Sequence, residues 1–411
     1  MRSFYILLLA SFFPFFCEAS DIVYLTWQRD PCHTMTIQWL TEQENTQDIV
    51  EYRTTKETKW QKSRGVHTPL PGTTPYLVHR TELSDLESNT LYFFKLSGEG
   101  EIFKFKTMPE RPESPIKFVV GGDIYHDGIE AVIETNKQAA QTNPHFALVG
   151  GDLAYAADRI GVLPEKMQSW VDWTLSSFDL KDDKRYRWVE WLQAWKDHMV
   201  TPDGCLIPMV PALGNHDVNG GFNKTSSDAA YFHTLFAFPG TDGYNVIDFG
   251  EYLSIFVLDS GHTNPIGGKQ TNWLYDGLRK RRHITNKFAI YHVPAYPSFR
   301  KYQEKIPSAI RCHWVPLFDY FGVHAAFEHH DHTYKRTHPI RHGEINAKGM
   351  LFIGDGCWGI EAPRQPKDPD EVWYLAKTAS KRHFILVSLA NGKRTYTAID
   401  HRGKMIDKVE N

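Results

Sequence analysis

Beyond residue 116 the chain repeatedly runs a short apolar stretch straight into a cluster of metal-ligating side-chain types. Lys117-Phe118-Val119-Val120 ends in Gly121-Gly122-Asp123, and Phe146-Ala147-Leu148-Val149 ends in Gly150-Gly151-Asp152-Leu153-Ala154-Tyr155. Pro208-Met209-Val210-Pro211 leads to Gly214-Asn215-His216-Asp217, Phe288–Tyr291 to His292-Val293-Pro294, and His324–Phe327 to His329-His330-Asp331-His332. Leu253–Leu258 and Leu351–Ile353 read as further buried strands, and 129–142 has a helical pattern. Strands alternating with helices, with polar residues at strand carboxyl ends, predict an α/β domain that carries its site along one sheet edge. Taken singly, each cluster has a plain structural explanation: a Gly-Asp turn, a helix cap, a hydrogen-bonded histidine. In order, at the strand ends of one domain, they point to a metal centre.

Composition narrows the alternatives. The 411 residues predict two or three domains. A hydrophobic content of 41% with 23% charged residues excludes a disordered chain. With 46 Lys and Arg against 49 Asp and Glu, the formal charge of −3 gives no electrostatic footprint for nucleic acid. The 20 histidines favour metal binding or chemistry near neutral pH. Residues 1–19, with Arg2, an apolar run from Phe4 to Phe16 and then Cys17-Glu18-Ala19, have the layout of a secretory signal peptide. A secreted, periplasmic or extracellular protein follows. The run is too short for a membrane span, no later one reaches eighteen residues, and bulky Phe16 argues against a lipid anchor on Cys17. Cys32, Cys205, Cys312 and Cys357 then allow up to two disulfides or stay as buried thiols, and with no CxxC a thiolate zinc site is not expected.

From residue 20 to 108 the segments are short, alternating and rich in aromatic and β-branched residues, as in Thr34–Leu40 and Leu91–Leu96. They predict a small β-sandwich. Trp39 on an early strand and Leu86 followed by Thr90-Leu91-Tyr92 resemble the buried Trp and tyrosine corner of a fibronectin type III module. Residues 109–116, Pro- and Glu-rich, read as a stiff linker, and 117–411 as the catalytic domain. Trp188, Trp191 and Trp195 form a core-facing stripe, and Phe384–Asp400 reads as two closing strands about an Asn391-Gly392 turn.

The ordered set Asp123, Gly151-Asp152-x-x-Tyr155, Gly214-Asn215-His216, His292 and His330-x-His332 resembles the dinuclear metallophosphoesterases. Tyr155, the segment Thr333-Tyr334-Lys335-Arg336 and the N-terminal sandwich make it similar specifically to the purple acid phosphatases, over essentially the whole mature chain. The resemblance implies an α/β (α+β) catalytic domain, a two-layered β-sandwich flanked by helices, behind the fibronectin-like sandwich. It implies a first metal held by Asp123, Asp152, Tyr155 and His332, and a second held by Asp152, Asn215, His292 and His330. Two metals about 3.5–4 Å apart need a shared anionic bridge, the part Asp152 would take. A tyrosinate suits Fe(III) and would colour the protein, while the second set suits a divalent Fe, Zn or Mn. The cluster keeps a slight positive charge and attracts a small-molecule phosphate ester. The implied reaction is hydrolysis of phosphate monoesters by a metal-bound hydroxide, best at mildly acidic pH. His216 would bind phosphate oxygens or protonate the leaving group, with Asp217 orienting it.

The chain departs from the family in places. Ile124 and Tyr125 follow Asp123 where a small residue is usual, making Tyr125 a competitor of Tyr155 for the first metal. His329 stands in place of Gly and offers an extra substrate contact. The window holding two substrate-binding histidines in plant relatives reads Arg300-Lys301-Tyr302 here, so Arg300 or Lys301 would bind the anion. His126-Asp127 reads as solvated loop, and Asn223-Lys224-Thr225 is an N-glycosylation sequon near the cleft mouth. Two rival readings keep other outcomes open: the same metals acting on phosphodiesters or nucleotides, and a binding protein in which the metal site is structural.

Overall fold

A computed structural model describes residues 22–42, 47–72, 75–96, 100–157, 185–238 and 243–411. The leader at 1–19 lies outside them. Two four-stranded sheets form the N-terminal sandwich. One pairs Ile22–Thr26, Met35–Thr41, Leu77–Leu83 and Val66–Pro69 in that spatial order. The other pairs Gln61–Arg64, Ile49–Thr54, Leu91–Leu96 and Phe103–Lys106. Alternating burial along Leu91–Leu96 puts Tyr92, Phe94 and Leu96 inside. The corner forms as expected, since the Glu87 amide donates to the Tyr92 hydroxyl at 2.8 Å.

The catalytic domain is two sheets packed face to face. The six-stranded one runs Met209–Pro211, Phe146–Val149, Ile116–Gly121, His383–Ala390, Lys393–Asp400 and Met405–Glu410, the first three parallel. The seven-stranded one runs Asn245–Phe249, Leu253–Val257, Asn286–Ile290, Ala325–Glu328, Leu351–Gly354, Tyr334–Thr337 and Leu375–Ala379, with the second to fifth parallel. Phe118 joins the layers, with ring centroids 5.8 Å from Phe288 and 6.2 Å from Phe327. Asn391 and Gly392, at φ 52° and 75°, make the closing hairpin turn that the sequence predicts.

Helices cover the outer faces. Ile129–Gln141 buries Ala131, Val132, Thr135, Asn136, Ala139 and Ala140, one face at helical spacing. Tyr186–His198 buries the Trp188, Trp191 and Trp195 stripe, three large rings that dominate the packing of that face. The sandwich is seated against the catalytic domain: Trp27 packs edge-on to Phe146 and Phe249, and the Tyr24 hydroxyl donates to the Leu235 carbonyl at 2.6 Å. Cys32, Cys205, Cys312 and Cys357 are all free thiols, three of them buried. Among the described residues no helix is long and apolar enough to cross a membrane.

The parallel strands align their carboxyl ends on one edge. Asp123, Asp152, Asn215, His292 and the 329–332 segment all follow such ends within a few residues.

Candidate metal centre

Three side chains from three loops meet first. The Tyr155 hydroxyl lies 2.8 Å from Asp123 Oδ1 and 3.1 Å from His332 Nε2, and those two atoms are 2.8 Å apart. Beside them, His292 Nε2 lies 3.2 Å from Asn215 Oδ1, 3.0 Å from His330 Nδ1 and 3.2 Å from Asp152 Oδ2.

The second set is unfavourable without a cation. Nδ1 of His292 bonds the Gly150 carbonyl at 2.9 Å, which presents Nε2 to three other ligand-type atoms at once. Asp152 Oδ2 is buried and, among the described residues, accepts no well-formed hydrogen bond, its contact being the 3.2 Å approach of His292 Nε2. A buried carboxylate oxygen facing imidazole nitrogens and an amide oxygen is the environment a divalent ion satisfies. Oδ1 of the same carboxylate accepts the His216 backbone N–H at 2.7 Å, which fixes its rotation.

Protonation tells the same story. Burial and the charges of Asp123 and Asp152 push the Tyr155 phenol well above its ordinary range. Burial opposes the charge on His292, but Asp152 and Asp123 overcome it and raise the imidazole to about 9. Without a cation, then, both carry protons that a metal would displace.

The backbone is held in costly conformations here. Asp123, Asp152, Tyr155, His330 and His332 all have left-handed φ, between 51° and 77°. Each such residue costs about 1–3 kcal/mol and persists only where its surroundings over-determine it. Asp217 is one source of that constraint: its carboxylate accepts the backbone N–H groups of Asp152, Leu153 and Gly214, each at 2.8 Å. Burial and the Asp152 charge raise it to about 8. Asp217 braces two ligand-bearing loops through their amides.

A buried ion network underlies the site. Lys335 Nζ lies 2.5 Å from Glu328 Oε2 and 3.4 Å from Asp355 Oδ1, while Glu328 Oε1 accepts from the Tyr291 hydroxyl and the Ala295 amide.

Several readings change. The Tyr125 hydroxyl is turned to Glu190, with Arg187 over its ring, so Tyr155 alone of the two faces Asp123 and His332. His329, expected at the substrate, is 1% exposed and packed between Gly122 and Gly150; a Cβ at Gly150 would overlap its imidazole. It fills the space the two glycines leave behind the centre. His126, read as solvated loop, lies with its ring 4.9 Å from those of both Tyr155 and His332 and lines the site, held to Asp127 at 2.7 Å. His216 stacks on Tyr155. Arg300 Nη1 donates to the His330 carbonyl at 2.6 Å and to Asp331 Oδ1 at 2.8 Å, at the rim of the centre.

Two residues escaped the sequence reading. Arg364 converges on the same His330 carbonyl at 3.5 Å and covers the exposed Phe299 ring. His262, buried, packs 5.7 Å from the His292 ring and binds the Gly221 carbonyl through Nδ1. Neither belongs to a spaced motif. Phe222, beside exposed Asn223 of the sequon, is 6.3 Å from the His330 ring, which puts that loop near the mouth.

A two-layer α/β sandwich thus gathers metal-ligand side chains at its strand ends. Residues 21–107 match the purple acid phosphatase N-terminal domain, and 116–336 match the calcineurin-like phosphoesterases. Purple acid phosphatase 18 of Arabidopsis thaliana is 24% identical over 372 residues, 85% of this chain and 74% of that protein. Purple acid phosphatase 21 of the same plant is 25% identical over 299 residues, 68% of this chain and 58% of its own length. The fold is similar to that of a purple acid phosphatase from yellow lupin (Lupinus luteus) seeds, with a TM-score of 0.72 at 16% identity over 95% of this chain and 74% of that one. The chain belongs to the calcineurin-like phosphoesterase family, carries a purple acid phosphatase N-terminal domain, and is a metal-dependent phosphoester hydrolase.

Proposed function

We propose that this protein hydrolyses phosphate monoesters at a dinuclear centre, with Fe(III) held by Asp123, Asp152, Tyr155 and His332 and a divalent Fe, Zn or Mn held by Asp152, Asn215, His292 and His330. The reading is carried by the convergence of the buried Asp152 Oδ2 with the imidazole and amide atoms of the second group around His292 Nε2. A metal pair bound there supplies an activated water as nucleophile and neutralises charge on the phosphoryl oxygens. Around it, the chain's own groups bind and position the ester. Arg300 and Arg364 add positive charge along one rim, drawing in a dianionic ester and orienting it. His216 is partly exposed over the Tyr155 ring and reaches the open side of the site, where it holds a phosphoryl oxygen or gives a proton to the leaving alkoxide. Asp217 keeps the Asp152 and Asn215 loops in register. Secretion, directed by residues 1–19, is part of this reading.

The test compares p-nitrophenyl phosphate with bis(p-nitrophenyl) phosphate on the metal-loaded protein. The proposal expects the monoester to be turned over faster and chelation to abolish both activities. A higher kcat/KM for the diester would move the assignment to phosphodiesters. Absence of turnover on both would leave the binding-protein reading.

A further inference from the structure

Among the described residues two groups bring three ligand-type side chains together with donor atoms within 4.8 Å of one another. One is Asp152, His292 and His330; the other is Asp48, His67 and His79, in the N-terminal sandwich. His67 and His79 sit directly opposite each other on the antiparallel strands Val66–Pro69 and Leu77–Leu83, so their side chains leave the same face. Asp48 arrives from the other sheet, just before Ile49–Thr54, and its backbone carbonyl accepts the Gly65 amide at 2.7 Å. Nδ1 of His79 lies 2.6 Å from Asp48 Oδ1, and Nδ1 of His67 lies 2.9 Å from Oδ2.

The surroundings are those of a prepared ligand set. His79 is fully buried, its ring stacked on Trp39 at 4.9 Å with planes 9° apart, and its Nε2 lies 2.9 Å from the Thr41 hydroxyl. That contact occupies the far nitrogen and aims Nδ1 at Asp48, as an outer hydrogen bond does for a metal-ligating histidine. The His67 side chain is 40% exposed, which leaves one side of the trio open to solvent as an entry path and a further coordination position. Two imidazoles and one carboxylate suit a borderline divalent ion such as zinc.

We infer that Asp48, His67 and His79 form a second, separate metal site that takes a divalent transition ion of the zinc type and clips the two sheets of the sandwich together. A cation bound only by the folded state raises thermal stability.

Equilibrium dialysis of the full chain, catalytic metals in place, against Zn2+ at neutral pH tests this, using metal analysis and thermal unfolding as readouts. The variants are His67→Ala, at a side chain 40% exposed, and Asp48→Asn. The wild type is expected to hold one more zinc per chain than either variant and to show a zinc-dependent rise in Tm that both lose, with p-nitrophenyl phosphate hydrolysis unchanged by His67→Ala. Equal zinc content in all three proteins would overturn the inference and leave the trio as a hydrogen-bonded clasp.

Discussion

His216 lies almost flat on Tyr155, with ring centroids 4.5 Å apart and planes at 28°. The proposed proton donor therefore rests on the proposed iron ligand. Replacing it should touch both the chemistry and the electronic environment of the phenolate. His216→Asn is expected to lower kcat by about 10²–10⁴-fold. Metal content should stay at the wild-type value and the visible band should shift. Steady-state kinetics beside metal analysis checks this; an unchanged kcat would reduce His216 to a packing residue.

Arg300 and Arg364 share the His330 carbonyl but differ in their other partners. Arg300 is also paired with the buried Asp331 carboxylate, whereas Arg364 rests on the exposed Phe299 ring. Arg364→Ala should raise KM for a phosphate ester by about tenfold, a loss near 1.4 kcal/mol, with kcat little changed. Arg300→Ala should raise KM and also lower thermal stability, because Asp331 loses its charged partner. Parallel kinetics and unfolding scans separate the two.

Metal uptake should be coupled to proton release. In the cation-free site burial and the neighbouring carboxylates keep Tyr155 protonated, and Asp152 and Asp123 overcome burial to raise His292 to about 9. Both ligands must lose their protons to bind. Affinity for the second metal should therefore rise with pH, by about tenfold per unit for the one proton on His292, and level off above pH 9. Calorimetry in buffers of different ionisation enthalpy measures the protons released. No release at neutral pH would contradict the ligand roles of His292 and Tyr155.

Among the described residues Lys335 is the one cation in contact with both Glu328 and Asp355, all fully buried. Removing it strands two carboxylates in the interior. Lys335→Met should destabilise the protein by about 3–5 kcal/mol, read from denaturant unfolding of the metal-loaded chain. The burial that raises Asp355 to about 8 should act more strongly still in the variant, so its stability should fall further as pH rises. The sign follows because a carboxyl with a raised folded-state pKa favours the native state when protonated and costs stability once ionised.

Much of this was legible in the sequence because the fold writes its site locally. A buried parallel strand is a run of apolar residues, and the turn that leaves it exposes the next polar side chain; Phe146–Val149 followed by Gly-Gly-Asp152 shows both. Ligand order along the chain follows from strand order. What was not legible depends on which way a turn points its side chains. Tyr125 and Tyr155 have equal chemistry, and only the contact with Glu190 turns the first away. His329 lies beside two ligands in sequence, yet the gap left by Gly122 and Gly150 draws it inward. His126 and Arg364 join the site through loops whose course no periodicity encodes. The Asp48, His67 and His79 trio needs the strand register that places His67 opposite His79.

The most direct test of the central claim is the visible absorption spectrum of the purified, metal-loaded protein beside that of Tyr155→Phe, with metals counted in both. A tyrosinate bound to Fe(III) predicts a broad visible band and about two metals per chain in the wild type, with the band lost in the variant. A band of equal intensity in Tyr155→Phe, or a colourless wild type containing two metals, would contradict the assignment of Tyr155 to a ferric ion.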